Sequence, residues 1–580
     1  MSDSNSHEGQ TVVLTGGLVR IDETTTAEAI CIRDGRVFCV GDRKTVLSQC
    51  PGAREIDVTG SVVAPGLIDT HPHMLHFAMF AAPLVDVRDA GSWADIVEAV
   101  QERAKVTPAG EWIMTTPVGD AHYYEGTSWR DLPEGALPDA AALDSATTEH
   151  PVMIQAWAPR VPNHAVFNSA GLAVLGIDGE VPDGQGGITV ERDTAGRPTG
   201  RVSGAVNNYY NHTHNDFWAD VWSRIPFMQP HLLPTAMGSA MAEQNALGVT
   251  TIYEGHAMDP EHIGVYQALN EAGALTVRVM AAPEVLGSAT TIKVPTADER
   301  RLSDHLAMAQ DMQGDYGEMF KVNGFTMAPT GPGFNGHMVM RDPYEGPFGE
   351  RTEGHWFVPP HILEAALRQA AERGLRVNLC GGGIGEHDVV LDLLDKLRAE
   401  GLLNGSERWI FQHAIFLDAR QAARYAEHGF EMTISTGFTY GKGEMYRERM
   451  GEEVLVNLNA FRRIIDAGIT VAASTDWGPK NPWASMALAV THTMGKGLRS
   501  NDGPAQKISR QEAYAMWGRQ AAEVLGWPGI GDLQPGSHAD VILLDRDPVT
   551  CPLEDLADTQ VTATLVGGRV ISGVLPGAVA

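Results

Sequence analysis

The sequence is poor in basic residues, in cysteine and in long apolar runs, and each shortage excludes a class of protein. There are 43 Lys and Arg residues against 73 Asp and Glu residues, and the net charge of −30 disfavours nucleic acid and anionic membranes as partners. Five cysteines in 580 residues are too few for a disulfide scaffold and fit a reducing compartment. No apolar run reaches the roughly 18 residues that span a bilayer, and the polar start of the chain is unlike a signal peptide. We therefore expect a cytoplasmic protein.

Both ends of the chain carry short runs rich in β-branched residues. Two alternating runs flank Asp34-Gly35, a pair that favours a tight hairpin, and residues 540–544 and 563–571 have a similar character. Each end is too short to bury a core by itself. These features predict one small β-sandwich built from residues 1–62 and 526–580, with a larger domain over residues 63–525 between its halves.

In the larger domain, strand-like runs alternate with helical ones, which is typical of a parallel α/β fold. The candidate strands are residues 62–70, 248–254, 275–284, 319–323, 375–380, 409–413, 431–436 and 470–476. Eight strands are the number needed for a closed TIM-type (β/α)8 barrel, and an open doubly wound sheet is the structural alternative.

The interval between the first two candidate strands is far longer than a normal connection in such a fold. We interpret residues 85–235 as an insertion that forms a lid and shapes the substrate pocket. His164 and Trp157 are its candidate substrate-binding residues. Other lid residues that merit attention are His122, His150, Tyr209, Tyr210, His212, His214 and Trp218.

The first candidate strand ends in His71-Pro72-His73. Side chains alternate along a strand, so both imidazoles point the same way if the segment is extended. Two adjacent imidazoles are half of a metal site, although a pair of surface or hydrogen-bonded histidines is the simpler interpretation.

Further residues of ligand type lie at the ends of the other candidate strands. In a barrel of this kind, the carboxyl ends of the strands carry the chemistry. Imidazole, thiolate and carboxylate all bind Zn²⁺, and an aspartate can also accept a proton from water. The candidates in chain order are Glu254, His256, Lys321, Cys380, His413 and Asp476.

The order of these motifs resembles the amidohydrolase superfamily, and in particular its long-chain branch that includes the N-substituted formamide deformylases. The resemblance covers nearly the whole chain. It depends on residues 29–41 (AICIRDGRVFCVG), 64–73 (APGLIDTHPH), 163–177 (NHAVFNSAGLAVLGI), 409–414 (WIFQHA), 474–476 (STD) and 531–548 (GDLQPGSHADVILLDRDP).

The resemblance implies roles for individual residues. His71 and His73 correspond to the first metal ligands, and His413 to the ligand at the end of strand six. Asp476 corresponds to the aspartate that binds metal and acts as the general base. Lys321 corresponds to a lysine that some members carboxylate to bridge two metal ions, with a simple ion pair as the alternative.

The chain departs from the family pattern at Cys380, where a strand-five histidine is expected. Three interpretations remain open: Cys380 is itself a zinc ligand, the site holds a single ion, or His387 takes the place of the missing histidine. The implied cofactor is therefore one or two divalent ions, with Zn²⁺ favoured.

The expected function is metal-dependent hydrolysis of a non-peptide C–N bond in a small molecule. The bond would be that of an amide, formamide, cyclic amide or carbamate, attacked by metal-activated water with Asp476 as the general base. Glu254, His164 and Trp157 are expected to contact the substrate, and His164 to help polarise its carbonyl. The alternatives are a metal-dependent decarboxylase or isomerase, or a ligand-binding homologue without activity. The family and the apolar lid also favour a homodimer.

Overall fold

The computed structural model describes residues 11–119, 127–157, 160–179, 181, 184–206, 213–286, 293–495, 497 and 499–576. His122, Tyr209, Tyr210 and His212, which the sequence singles out in the lid, lie outside the described residues.

The centre of the molecule is a TIM-type barrel of eight parallel strands, as the sequence predicts. Two hydrogen-bonded sheets form its wall. Between strands 8 and 1 they are joined by the bond from the Thr70 amide to the Ala473 carbonyl, 3.3 Å long, and between strands 3 and 4 by pairing of Glu284 with Thr326. The barrel strands 1 to 8 are Leu67–Asp69, Val249–Glu254, Arg278–Ala281, the two-part strand Phe320–Val322 and Phe325–Met327, Val377–Gly381, Ile410–His413, Glu431–Ser435 and Val471–Ser474.

Barrel strand 4 changes partners in its middle. Phe320–Val322 pairs with strand 3, whereas Phe325–Met327 pairs with strand 5. The break occurs at Gly324, whose φ of +79° lies in the left-handed region that glycine adopts most readily. The carboxyl end of strand 4 is therefore Met327, further along the chain than the sequence predicts.

Helices surround the barrel, and their ends follow simple sequence rules. Pro360–Arg373 has proline at its first position and ends at Gly374, which is left-handed. Its buried residues recur at helical spacing and face the strands. The other helices of this domain are Met74–Ala81, Leu233–Ala246, Pro260–Glu271, Leu302–Asp311, Ile384–Ala399, Ala419–Glu427, Gly437–Met450, Phe461–Asp466, Pro482–Thr491, Arg510–Ala515 and Arg519–Leu525.

Packed apolar side chains close the amino-terminal end of the barrel. Helix Arg519–Leu525 and Trp527 share one buried cluster with Ile68, Tyr253 and Ala472 from the barrel strands. Only the opposite, carboxyl-terminal end is left for a substrate.

Both chain ends contribute to one eight-stranded sheet beside the barrel. Val62–Pro65 pairs in parallel with Val12–Arg20 and antiparallel with Val541–Leu544, which joins the two termini. The remaining strands of the sheet are Thr26–Arg33, Arg36–Gly41, Arg54–Asp57, Val561–Val566 and Arg569–Gly573, and the short helix Arg43–Gln49 packs on it.

The insertion after barrel strand 1 has a six-stranded sheet of its own. Its strands are Leu84–Val85, Ile113–Thr115, Val152–Ile154, Asn163–Phe167, Ile188–Arg192 and Pro198–Gly204, and its helices are Trp93–Ala104, Ala140–Asp144, Ser169–Leu175 and Asp216–Ser223. Across the described ranges of the chain, no helix is long and apolar enough to cross a membrane.

Candidate metal centre and substrate cavity

His71 and His73 lie side by side at the carboxyl end of barrel strand 1. Both are buried, and their Nε2 atoms are 3.0 Å apart. His73 has a φ of +51°, a conformation that costs energy for a side chain with a Cβ atom and that is common at functional sites. Burial and the neighbouring imidazoles lower the pKa of His71 well below its ordinary value, so this ring is neutral and has a lone pair for a cation.

Asp476 approaches the same two rings from the end of barrel strand 8. Its Oδ1 lies 3.4 Å from Nε2 of His73 and 3.7 Å from Nε2 of His71. The ligand atoms of these three residues all lie within 4.8 Å of one another. Burial raises the pKa of Asp476, but the nearby imidazoles of His73, His413 and His71 outweigh burial and bring the pKa far below its ordinary value. The carboxylate is therefore ionised.

Two further residues hold the strand ends together. Asp69 accepts hydrogen bonds from the amides of His71 and Thr475, each 3.1 Å long, and a 2.6 Å bond from the Thr475 hydroxyl. Lys480 donates to the carbonyls of Asp476 (2.8 Å) and Pro72 (3.3 Å). These bonds connect strand 1 to strand 8 directly behind the three ligand-type side chains.

A second group of buried side chains lies next to the first. Cys380, at the end of strand 5, is hydrogen-bonded to His256 and His413. Burial raises the pKa of the Cys380 thiol, but these two imidazoles outweigh burial and lower it. Burial lowers the pKa of His256, but Cys380 and Glu284 outweigh burial and raise it. His413 Nδ1 is 4.0 Å from Asp476 Oδ2. A cysteine sulfur between imidazoles is a soft donor beside the first group.

The donor set fits a divalent cation. His71 Nδ1, His413 Nδ1 and Asp476 Oδ1 are buried, and none has a hydrogen-bond partner among the described residues. Buried polar atoms without partners are costly, and a cation would satisfy the carboxylate oxygen. The imidazoles of His71 and His73, whose pKa values are both lowered, and the carboxylate of Asp476 are three typical zinc ligands.

Lys321 is not part of this group, which corrects the expectation that it is a metal ligand. It lies in the first half of the broken strand 4, towards the closed end of the barrel. Its Nζ forms an ion pair with Asp315 and lies 4.9 Å from the centre of the Trp527 ring. Lys321 is therefore in the simple ion pair that the sequence analysis gave as the alternative. From this end of the barrel it does not reach the metal centre to bridge two ions there as a carboxylated lysine.

Glu254 and His387 also occupy positions other than those expected. Glu254 is buried, and its Oε1 accepts hydrogen bonds from the Tyr266 hydroxyl (2.6 Å) and the Leu75 amide (3.1 Å), so it anchors the start of helix Met74–Ala81. His387 Nδ1 lies 2.9 Å from the Tyr425 hydroxyl, behind strand 5. Neither side chain lines the cavity at the metal centre, so the substrate contact for Glu254 and the substitute role for His387 are corrected.

His164 and Trp157 lie in the insertion. The ring of His164 is 5.0 Å from that of Trp129, and its strand pairs with Pro198–Gly204. Trp157 is buried, and its carbonyl accepts a hydrogen bond from the Asn163 amide group. Neither side chain lines the cavity at the metal centre. Their expected substrate contacts therefore remain a prediction.

A small cavity, open on one side, adjoins the metal centre. Its floor is formed by Asp476, His413, His256 and Cys380. Its walls are mainly aromatic and apolar, and are formed by Phe334, Met338, Phe357, Ile415, Phe438, Tyr446 and Trp477. The aromatic and apolar lining of this cavity suits the apolar part of a small molecule.

Lys442, on helix Gly437–Met450, is the only lysine or arginine in the cavity lining. It is 3% exposed, and its Nζ lies 4.9 Å from the centre of the Phe334 ring and 5.4 Å from that of Phe438. No ion pair joins it to a carboxylate in the described ranges. Burial lowers the pKa of Lys442 to about 8. The sequence analysis missed this residue because nothing distinguishes it locally from a surface lysine on a polar helix.

Comparisons with known proteins agree with this geometry. Residues 54–572 match the model of the amidohydrolase family. An N-substituted formamide deformylase of Arthrobacter pascens is 26% identical over 93% of this chain and 94% of its own length. A putative amidohydrolase of Bacillus subtilis is 22% identical over 96% of this chain and 98% of its own length.

Solved structures show the same fold. A metal-dependent hydrolase from Pyrococcus furiosus is 20% identical, with a TM-score of 0.69 over 93% of this chain and 100% of that one. An atrazine chlorohydrolase from Arthrobacter aurescens, solved with zinc, is 17% identical, with a TM-score of 0.52 over 98% and 97% of the two chains. The chain belongs to the amidohydrolase family and is a hydrolase of that type, which confirms the resemblance.

Proposed function

We propose that the protein hydrolyses a C–N bond of a small N-acyl compound, with an N-substituted formamide as the first candidate. The observation that carries the proposal is the convergence of His71, His73 and Asp476 within 4.8 Å at the mouth of the barrel, where Asp476 also lines the aromatic cavity. For a formamide, water adds to the formyl carbon, the C–N bond breaks, and formate and an amine are released.

A divalent ion held by His71, His73 and Asp476, with Zn²⁺ as our candidate, would lower the pKa of water and polarise the carbonyl. Asp476 accepts the proton of the attacking water and later delivers it to the leaving nitrogen. Asp69 and Lys480 keep Asp476 in register with the histidines, so the base does not have to be reoriented during the reaction.

Cys380 and His413 adjoin this group, and we propose them as further ligands or as a hydrogen-bonded support of the bound ion. With Lys321 at the other end of the barrel, a single ion is the arrangement that we favour. A single ion is one of the three interpretations that the sequence leaves open.

The cavity also suggests the substrate class. Aromatic walls favour an aryl or benzyl substituent, and Lys442 is a buried cation that faces the same space. An anionic group on the substrate would give Lys442 the partner it lacks among the described carboxylates. We therefore propose aryl-substituted N-acyl compounds that carry a carboxylate.

The test is amine release from N-benzylformamide and from its carboxylate-bearing analogues, using the full chain loaded with Zn²⁺. We expect the carboxylated compounds to have the higher kcat/KM and chelation to abolish turnover. Asp476→Asn is the inactive control. A metal-loaded, folded protein that hydrolyses none of these compounds would contradict the proposal.

A further inference from the structure

Three histidines meet in a groove outside the metal centre. His214 Nε2 and His337 Nε2 are 3.3 Å apart. The ring centres of His214 and His337 are 5.3 Å apart, those of His214 and His355 are 5.2 Å apart, and those of His337 and His355 are 5.7 Å apart. We refer to these three residues as the histidine trio. The groove that they line is separate from the substrate cavity, and shares no lining residue with it.

The backbone around the trio is well supported. The His355 amide donates to the His337 carbonyl over 2.8 Å, so these two residues lie side by side on one loop. His214 follows Thr213, which pairs with Lys293, and precedes Asn215, whose side chain caps helix Asp216–Ser223. Two distant segments of the chain are thus held face to face by hydrogen bonds that do not involve the imidazoles.

These spacings match those of a metal site. Two imidazoles on one tetrahedral zinc ion, with bonds of about 2.0–2.1 Å, have ligating nitrogens about 3.3 Å apart and ring centres about 5 Å apart. The His214–His337 pair already has the first spacing, and all three ring pairs are close to the second. The nitrogens of all three rings do not yet converge within 4.8 Å, so binding a common ion would require the His355 ring to turn towards the other two.

The trio also has the right chemistry. Metal-binding histidines must be neutral. Loss of solvent around the rings lowers the pKa of His214 and of His355 below the ordinary value, so both are neutral at pH 7. His214 is exposed at the edge of the groove, which leaves a path for an ion to enter.

We propose that His214, His337 and His355 form a second metal site, which binds a divalent cation of the Zn²⁺ class with water in the remaining position. The site is independent of the proposed hydrolysis. It joins the insertion to the loop that follows barrel strand 4.

The loop that carries His337 also lines the substrate cavity. Gly331, Pro332, Phe334 and Met338 line the substrate cavity, while Asn335, Gly336 and His337 line the groove. One loop therefore separates the two, and a cation bound to the trio would fix the wall of the substrate cavity from outside.

The experiment uses the full chain with His71 and His73 both changed to Ala, so that the first site does not contribute. This protein is stripped with a chelator and titrated with Zn²⁺ alone against a chromophoric competitor. We expect one zinc ion per chain. Adding His214→Ala or His355→Ala should weaken its binding at least about tenfold, since the loss of a ligand costs no less than the loss of a residue that supports one.

The matched control is His361→Ala, an exposed histidine at the start of helix Pro360–Arg373. It should leave zinc binding unchanged. Circular dichroism checks that each variant is folded, and because His214 and His355 are accessible, their replacement should not unfold the protein. Two results would overturn the proposal: zinc binding that is equal in the trio variants and the control, or no zinc binding by the parent protein. Either would mean that the trio is only hydrogen-bonded.

Discussion

At the scale of single residues, the strained backbone of the site is the most informative feature. His73, His413 and Asp476 all have positive φ values, of +51°, +75° and +49°. His413 ends strand 6, Asp476 lies two residues beyond strand 8 and His73 four residues beyond strand 1. All three therefore lie at the carboxyl-terminal mouth of the barrel. Such conformations persist only where surrounding contacts enforce them, as the hydrogen bonds of Asp69 and Lys480 do here.

Asp476→Asn should reduce kcat by about 10²–10⁴-fold because the amide cannot accept the proton of the attacking water. Its similar size should preserve the fold. Steady-state kinetics on the metal-loaded protein measure the effect, and unfolding temperature is the control. A variant with wild-type kcat would remove Asp476 from the mechanism.

Asp69→Asn should weaken metal binding by about 10–100-fold although it removes no ligand, because Asp69 only positions His71 and Thr475. Competition with a chelator measures the affinity. The change Asp466→Asn, on the surface, is the matched control. An unaltered affinity would show that strands 1 and 8 stay in register without this carboxylate.

The lowered pKa of Lys442 predicts that the binding of a carboxylate-bearing substrate depends on pH. With its pKa lowered to about 8, the amine is mostly charged at pH 7 and becomes neutral as the pH rises through about 8. KM for a carboxylate-bearing substrate should therefore rise above that pH, while KM for a neutral substrate should change little. Lys442→Met should raise KM for the carboxylate by about tenfold or more, the loss of one charged hydrogen bond. If pH and Lys442→Met change both values of KM in parallel, Lys442 does not bind the anionic group.

At the scale of elements, the break in barrel strand 4 decides which side chains reach the mouth. A Cβ atom at Gly324 would lie 2.5 Å from the Arg376 carbonyl oxygen, and φ there is +79°. The strand can therefore shift from one neighbour to the other only with glycine at this position. The break places Lys321 below it, away from the metal centre.

Gly324→Ala should lower the free energy of unfolding by about 1–3 kcal/mol, through backbone strain and the close contact with Arg376. Gly374→Ala separates the two causes, since φ there is also positive, at +66°, but nothing lies within 4 Å of the added atom. Urea unfolding of both variants gives the difference. An equal loss in the two would mean that strain alone accounts for the effect.

At the scale of the whole molecule, a buried ion pair connects the barrel to the sheet made from both termini. Arg278, on barrel strand 3, donates from Nε to Asp540 over 2.7 Å, and the two side chains are 1% and 3% exposed. Asp540 directly precedes Val541–Leu544, the strand that joins the chain ends.

Asp540→Ala should destabilise the protein by about 3–5 kcal/mol because it leaves the Arg278 charge buried without its partner. The double change Asp540→Leu with Arg278→Met should recover much of that loss, since it removes both charges. Thermal unfolding of the two variants tests this. If the double variant is no more stable than Asp540→Ala, the attraction between Arg278 and Asp540 outweighs the free-energy cost of burying their charges.

Much of the site could be predicted from residue types at strand ends. In a parallel barrel, all the carboxyl ends meet at one mouth, so His71, His73, His413 and Asp476 had to lie near one another once the strand order was right. The prediction failed for Lys321 because the end of strand 4 was placed before Gly324. Glu254 was misjudged because its partners, Tyr266 and Leu75, come from other elements.

The sequence by itself determined the family and the order of the barrel strands, and it predicted the side chains that meet at the mouth of the barrel. These features depend on local periodicity and on short motifs, which the chain carries in order. The tertiary structure decided which long-range neighbours meet. Lys442 reaches the cavity from a helix after strand 7, and His214 meets His337 across 123 positions of the chain. Local spacing does not encode such encounters, because packing of the whole chain creates them.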